Sequence, residues 1–317
     1  MNSPKIGLFE SGSHRIADTP RCPVHHPLVN QVAAALREAI RATATPPYHE
    51  ASQSGLVRYL QVVVERSSQT AQVVVVAHDA SPGSLDPLCR SLQTRLGAKL
   101  HSLWWNGNPS PHNAILGPHW AHVSGPRSVR ERIGGVDVFH PPGAFGQANL
   151  PLAGQLVERT LASLAGARRI ADVYAGCGAF GLPLLAQGRD VHFFERSPDS
   201  IAGLREGLAA LADETRLRGR IHEGDVATDP DLLAVIDACD AVVLDPPRKG
   251  VDAKLIERLA LHPPERLVYV SCGLPALVRE SAVLLGAGRL RLSRLEAWAL
   301  FPHSDHIETV ACFDRRD

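Results

Sequence analysis

RLVYVSCGLPALVRE, residues Arg266 to Glu280, is an apolar run rich in β-branched residues that ends on Ser271 and Cys272 and turns at Gly273 and Pro275 toward a helix. In an open α/β sheet the carboxyl ends of the strands border the crevice where ligands bind, so a thiol at this position stands where chemistry is done. A buried core thiol is the plainer reading of any single cysteine. The stretch just upstream changes the balance. AVVLDPPRKGVD, residues 241–252, repeats the pattern: an apolar strand breaks at Asp245 and is followed by two prolines and the basic pair Arg248 and Lys249. Two strand ends therefore offer an acid and a thiol side by side.

Working outward, strand patterns at Ile170 to Tyr174, Asp190 to Glu195, Arg220 to Gly224, Ala241 to Leu244 and Leu267 to Ser271 alternate with helical ones, after a helix from Leu150 to Ala165. Such alternation implies parallel strands joined by right-handed crossovers. The last pair, Leu292 to Leu300 and His306 to Phe313, is joined by a Pro/His/Ser/Asp turn, so it should be antiparallel. Upstream, Leu28, Val32, Leu36 and Ile40 mark an amphipathic helix. Strands follow at Val57 to Glu65 and Ala71 to His78, a helix at Ser84 to Leu96, and a third strand at Lys99 to Asn106. Trp104 and Trp105 read as strand core, with base stacking as the rival use. The expected fold class is α/β: a Rossmann-like domain over 139–317, its mostly parallel sheet ending in a hairpin, preceded by a smaller α+β domain over 1–138.

A chain of 317 residues can hold two domains. Lysine plus arginine balances aspartate plus glutamate at 33 each, so any nucleic-acid partner must be held by a local patch and not by a global field. The longest aliphatic run, around Val73 to Val76, falls far short of a bilayer span, and a cytoplasmic protein with no membrane partner is expected. Six cysteines with no paired spacing suit a reducing compartment. Cys22, His25 and His26 are too few for a metal site, and none is expected.

Asp172-Val173-Tyr174-Ala175-Gly176-Cys177-Gly178-Ala179-Phe180-Gly181 follows the first strand of the second domain with the glycine spacing of a nucleotide-binding turn. Glu195 ends the next strand, where an acid commonly accepts hydrogen bonds from ribose hydroxyls. These two features alone leave NAD open; the D-x-x-x-G-x-G arrangement is more typical of S-adenosylmethionine sites. Cys177 reads as a small residue tolerated between glycines. Beside a cofactor that carries an activated methyl group, a thiolate suggests methylation of a carbon that is not nucleophilic, such as pyrimidine C5. Addition to C6 makes C5 enolate-like, and a base must later remove the C5 proton. Glu308, entering the last strand after the turn that carries His303 and His306, could be that base.

FGQAN, DVYAGCGAFG, LDPPRKG, YVSCG and FPHSDHIETVA, in this order, resemble the RNA uracil-C5 methyltransferases that make 5-methyluridine in tRNA and ribosomal RNA, a family of class I S-adenosylmethionine-dependent enzymes. The resemblance implies that Cys272 is the nucleophile and Glu308 the proton-abstracting base. It also places Gln147, Tyr174, Gly176, Gly178, Glu195, Asp225 and Asp245 around S-adenosylmethionine, with Asp245 near the uracil as well. RNA is the implied partner and a monomer is expected. The family's Ser-Cys-Asn reads Ser271-Cys272-Gly273 here. Many members begin with an RNA-binding TRAM barrel and a cysteine set for an iron-sulfur cluster, of which only Cys22 has a counterpart. Because a [4Fe–4S] cluster needs four thiolates, none is expected in this chain: either the lineage has shed the module or the sequence starts downstream of a longer natural one. Two other readings remain open: a cytosine-C5 or amino-group methyltransferase, and a catalytically silent RNA-binding protein. Arg248 follows Asp245-Pro246-Pro247 where enzymes acting on exocyclic amines usually carry an aromatic.

Overall fold

Apolar periodicity sets the elements of the computed structural model, which describes residues 4–13, 15–112, 114–147, 149–301, 304 and 306–316. The chain divides into two compact units, Met1–Glu131 and Arg132–Asp317.

In the first unit a small hairpin, β1 (Gly7–Phe9) and β2 (Ile16–Asp18), precedes helix α1 (Pro27–Thr43). Then come β3 (Val57–Glu65), β4 (Thr70–Ala77), α2 (Asp86–Leu96), β5 (Leu100–Gly107) and β6 (His119–Ser124), the strands forming one sheet in the order β3-β4-β5-β6. The α1 stripe of Leu28, Val32, Leu36 and Ile40 is buried together with Leu88 and Leu92 of α2 and Val73, Val75 and Trp105 of the sheet. Strand alternation sends Trp104 to the opposite face, where it stacks edge-on with Trp120 and lies against His122. Both tryptophans are thus largely buried, on two faces of one sheet. The β1–β2 hairpin and β6 have no counterpart in the sequence reading; at three and six residues they are too short or too polar to show a period.

The line between the units falls inside β7 (Val129–Ile133), which pairs with β8 (Val136–His140). Strand β8 goes with the second unit, and this division lies seven residues before the expected 138/139 boundary. The reason is steric: Gly203 and Gly207 let helix α5 (Pro198–Ala209) press on the backbone of Phe139 and Asp137, where a Cβ at Gly203 would collide with the Phe139 carbonyl.

After α3 (Leu150–Ser163), the second unit runs through β9 (Arg169–Val173), α4 (Gly181–Ala186), β10 (Asp190–Glu195), α5, and α6 (Asp213–Arg216) to β11 (Gly219–Glu223). It continues with α7 (Leu232–Asp237), β12 (Ala241–Leu244), α8 (Ala253–Leu261), β13 (Arg266–Ser271), α9 (Leu274–Gly286), β14 (Leu290–Trp298) and β15 (Glu308–Arg315). The sheet order is β11-β10-β9-β12-β13-β15-β14, parallel through β13 and antiparallel where β15 meets β13 and β14. Val173, Phe194, Leu244 and Tyr269 fill one layer; Ile170, Phe193, Val243 and Val270 fill the other. The strand order reverses between β9 and β12, which opens a crevice at their carboxyl ends. Among the described residues, no helix is long and apolar enough to cross a membrane.

Candidate active site

The turn after β9 is built around its glycines. Gly176 and Gly178 hold φ of +56° and +89°, and Tyr174 is itself left-handed at +64°, a conformation that costs a residue with a Cβ and persists where the surroundings enforce it. The enforcing contacts are visible. The Gly176 N–H donates to Glu195 Oε2 at 2.8 Å, the Ala175 N–H to the Phe194 carbonyl at 3.0 Å, and the Asp252 N–H to the Tyr174 hydroxyl oxygen at 3.3 Å. A Cβ on Gly176 would meet nothing within 4 Å, so the turn presents open space to a ligand. Buried Cys177 faces inward, and burial pushes its thiol up to about 12, as befits a small residue packed between glycines.

Glu195 closes the end of β10. Its Oε1 accepts from the N–H groups of Arg196 at 2.8 Å and Ser197 at 2.7 Å, so the carboxylate is fixed by backbone on both oxygens and keeps further lone pairs for a ligand. Asp225, beyond β11, is exposed. It accepts from the Ala227 N–H and from Arg196, which hold its carboxyl below the usual range. Asp172 is fully buried behind the turn, with Oδ2 accepting from the Gly181 N–H at 2.9 Å and Oδ1 without a partner among the described residues. Burial pushes it up to about 7. Gln147 lies in the loop before α3, which is fastened to the β14–β15 connection by Asn149 donating to the Leu300 carbonyl at 3.3 Å. Its Oε1 is buried and also lacks a partner among the described residues.

The second half of the site follows from strand register. Ser271 of β13 pairs with Thr309 of β15, and because the pair is antiparallel, the next residue on one strand, Cys272, stands beside the preceding residue on the other, Glu308. The Thr309 hydroxyl donates to the Ser271 carbonyl at 3.2 Å and the Gly273 N–H to Ser271 Oγ at 3.1 Å, which fixes the strand end on both sides of the thiol. Cys272 is partly exposed, whereas Glu308 is buried. Burial raises the thiol, and Glu308 and Asp245 raise it further, while Arg248 opposes them. Burial likewise raises Glu308, against Arg248 and His306. The Arg248 guanidinium donates to His306 Nε2 at 3.4 Å, across the mouth of the pair. Asp245, at the end of β12, is enclosed enough that burial, then Glu308, Asp172 and Glu195, lift its carboxyl to about 8.

The structure thus collects Tyr174, Gly176, Gly178, Glu195, Asp225, Asp245, Cys272 and Glu308 along one edge of the sheet, on the ends of β9, β10, β11, β12, β13 and the start of β15. His303 and Asp305 lie outside the described residues. Among the described residues no three His, Cys, Asp or Glu side chains stand together as metal ligands. Arg248, which the sequence marks as the residue standing where exocyclic-amine enzymes carry an aromatic, acts in the structure on both the thiol and Glu308. Glu280, buried below the same loop, was hidden in the helical run LPALVRESAVLLG.

No family model matches the chain. It is 33% identical over 99% of its length to an uncharacterized RNA methyltransferase of Protochlamydia amoebophila, covering 82% of that protein. It is 32% identical over 97% of its length to an uncharacterized RNA methyltransferase of Geobacter sulfurreducens, of which it spans 62%. Among solved structures, the Pyrococcus abyssi tRNA (uracil-54, C5)-methyltransferase in complex with S-adenosyl-L-homocysteine matches 94% of this chain and 70% of its own at a TM-score of 0.79 and 24% identity, a likeness of fold.

Proposed function

The chain belongs to a family of RNA methyltransferases, and from that premise we propose that it is an S-adenosylmethionine-dependent enzyme that methylates C5 of uridine in tRNA or ribosomal RNA through a covalent bond between Cys272 and C6. The observation that carries the reading is the β13–β15 register, which sets a partly exposed thiol beside a buried carboxyl with a cation over both. A nucleophile and a base on neighbouring strand ends are what a covalent adduct at C6 requires.

Residues of the loop before α3 and of the β9 and β10 ends fit the cofactor. Gln147 Oε1 is a buried acceptor in need of a donor, Gly176 leaves room for close approach, and Glu195 is oriented to accept from ribose hydroxyls. Bound there, S-adenosylmethionine supplies an electrophilic methyl group. The substrate base must be flipped from its stack, since the thiol approaches a ring atom face-on. Cys272 Sγ, as the thiolate, would form a bond to C6 as the C5–C6 π pair moves toward C5, and C5 would take the methyl group while the sulfonium–methyl bonding pair stays on the sulfur of the departing S-adenosylhomocysteine. Glu308 then accepts the C5 proton, the C–H pair restores the double bond, and Cys272 leaves as the thiolate. Arg248 favours the charged forms of both groups. Burial and the neighbouring carboxyls push Asp245 up to about 8, which favours the protonated form that can donate to a ring carbonyl.

The reading is tested by Glu308→Gln, which keeps the shape and loses the basicity. With RNA and S-adenosylmethionine it should accumulate a methylated protein–RNA conjugate that survives denaturing electrophoresis, and the Cys272→Ala double variant should form none. Nucleoside mass spectrometry of RNA from cells with and without the gene should show loss of 5-methyluridine. Wild-type turnover by Glu308→Gln with nothing trapped, or unchanged 5-methyluridine, would overturn the assignment.

A further inference from the structure

The loop that carries Arg248 is gripped from below by the helix that starts at the thiol. Glu280, on α9, is buried in the core of the second unit. Its Oε2 accepts from the Tyr269 hydroxyl at 2.7 Å and from the Val251 N–H at 3.1 Å, and its Oε1 from Arg279 at 2.6 Å. Arg279 in turn donates to the Lys249 carbonyl at 3.1 Å. Adjacent residues of one helix therefore hold both the carbonyl of Lys249 and the N–H of Val251, which bracket Gly250.

Two glycines make this grip possible. Gly250 has φ +93°, and a Cβ there would collide with the Glu280 carboxylate. Gly273, next to the thiol, allows the Arg248 carbonyl to come in: a Cβ at 273 would lie 2.7 Å from that oxygen. The loop is thus pinned to α9 at one end and pressed against the thiol-bearing turn at the other. A carboxylate buried for packing alone would be an expense, because charge in the interior must be fully paired. Here the bonds from Val251 and Tyr269 fix the loop and the strand carrying Ser271, and the bond from Arg279 orients the guanidinium that holds the Lys249 carbonyl.

We propose that Glu280 is a positioning residue that sets the 246–251 loop and thereby holds the Arg248 guanidinium against Cys272 and Glu308. Its importance to catalysis rests on the function proposed above; the placement itself does not. The groups facing Cys272 are Glu308, Asp245 and Arg248, with His306 on the far side of Arg248. Those facing Glu280 are Tyr269, Arg279 and Tyr174. Of the groups facing the thiol, Arg248 is the cation that favours the thiolate. Slackening the loop should leave the two carboxyls unopposed and make the thiol harder to ionise.

The test is the pH dependence of Cys272 alkylation by iodoacetamide in the whole chain, read at peptide level by mass spectrometry, with neither RNA nor cofactor present. Glu280→Ala should move the Cys272 titration to higher pH and slow alkylation about threefold at a pH below the midpoint. Arg248→Ala should do the same, and the double variant should shift no further than Arg248→Ala alone, since both act through one guanidinium. Glu280→Gln, which keeps an acceptor for Val251, should lie nearer wild type. A wild-type titration in Glu280→Ala or in Arg248→Ala, or shifts that add in the double variant, would overturn the proposal. Should Glu280→Ala lose its circular dichroism, Tyr269→Phe takes its place, with a smaller shift in the same direction expected and no shift counting against the idea. Because no RNA enters the assay, a failed search for 5-methyluridine would leave this result standing.

Discussion

Ser271 and Thr309 face each other across β13 and β15, and the Thr309 hydroxyl donates to the Ser271 carbonyl at 3.2 Å, one residue away from both the thiol and its carboxyl neighbour. The pairing of Cys272 with Glu308 is therefore a property of strand register, and a slip by one residue would turn one of them to the other face of the sheet. Thr309→Val removes a buried donor while keeping the shape. It should cost about 1 kcal/mol of stability by denaturant unfolding, with methyl transfer lowered and not abolished.

Cys272→Ala should abolish methyl transfer and leave S-adenosylmethionine affinity unchanged by calorimetry. The thiol stands at the end of β13, whereas the turn proposed to hold the cofactor is fixed by Glu195, Phe194 and Asp252. Turnover by the alanine variant would end the covalent mechanism.

Glu195→Ala should weaken S-adenosylmethionine binding by roughly 1–3 kcal/mol, the cost of leaving hydroxyl partners and three backbone donors without their acceptor. The three donors are the N–H groups of Gly176, Arg196 and Ser197. Equal affinities in wild type and variant would remove Glu195 from the site.

Two carboxyls, Asp172 fully buried and Asp245 partly so, set a pH dependence of stability. In the folded chain Asp172 and Asp245 titrate near 7 and 8, against an ordinary value of 3.8. Between about 4 and 8 the folded state therefore binds more protons than the unfolded one, and stability falls as pH rises. The contribution is fully present below the ordinary value and gone once pH has passed the folded values. Thermal unfolding from pH 5 to 9 should show Tm declining. Asp245→Asn should flatten the decline in its upper part, and Asp172→Asn nearer neutrality. A slope untouched in either variant would refute the assignment.

Much of the parallel sheet was legible because its central strands β9, β12 and β13 are buried on both faces and read as apolar runs. Asp190–Glu195 and Ala241–Leu244 have the expected bounds to the residue. The glycine turn was legible for a different reason, since only glycine takes its φ values cheaply. What stayed hidden was long-range. No local pattern says that Glu280 reaches Val251, or that Arg248 acts on Cys272, because the first pair lies 29 residues apart in the chain and neither meets until the crossovers have formed. The β6 strand was hidden by its polar surface, and nothing local tells why glycine stands at 273, where the Arg248 carbonyl comes in.

Strand β15 follows β14 in the chain yet lies between β14 and β13 in the sheet. During synthesis β14 is thus made with no place to dock, and waits until the strand after it has left the ribosome. Until then the thiol of Cys272 has neither its carboxyl neighbour nor a closed sheet edge, so a ribosome stalled before Glu308 presents an open parallel sheet with an unpaired flank, the kind of edge that chaperones cover and that aggregates when they do not. Juxtaposition of Cys272 with Glu308 and completion of the sheet are the same event.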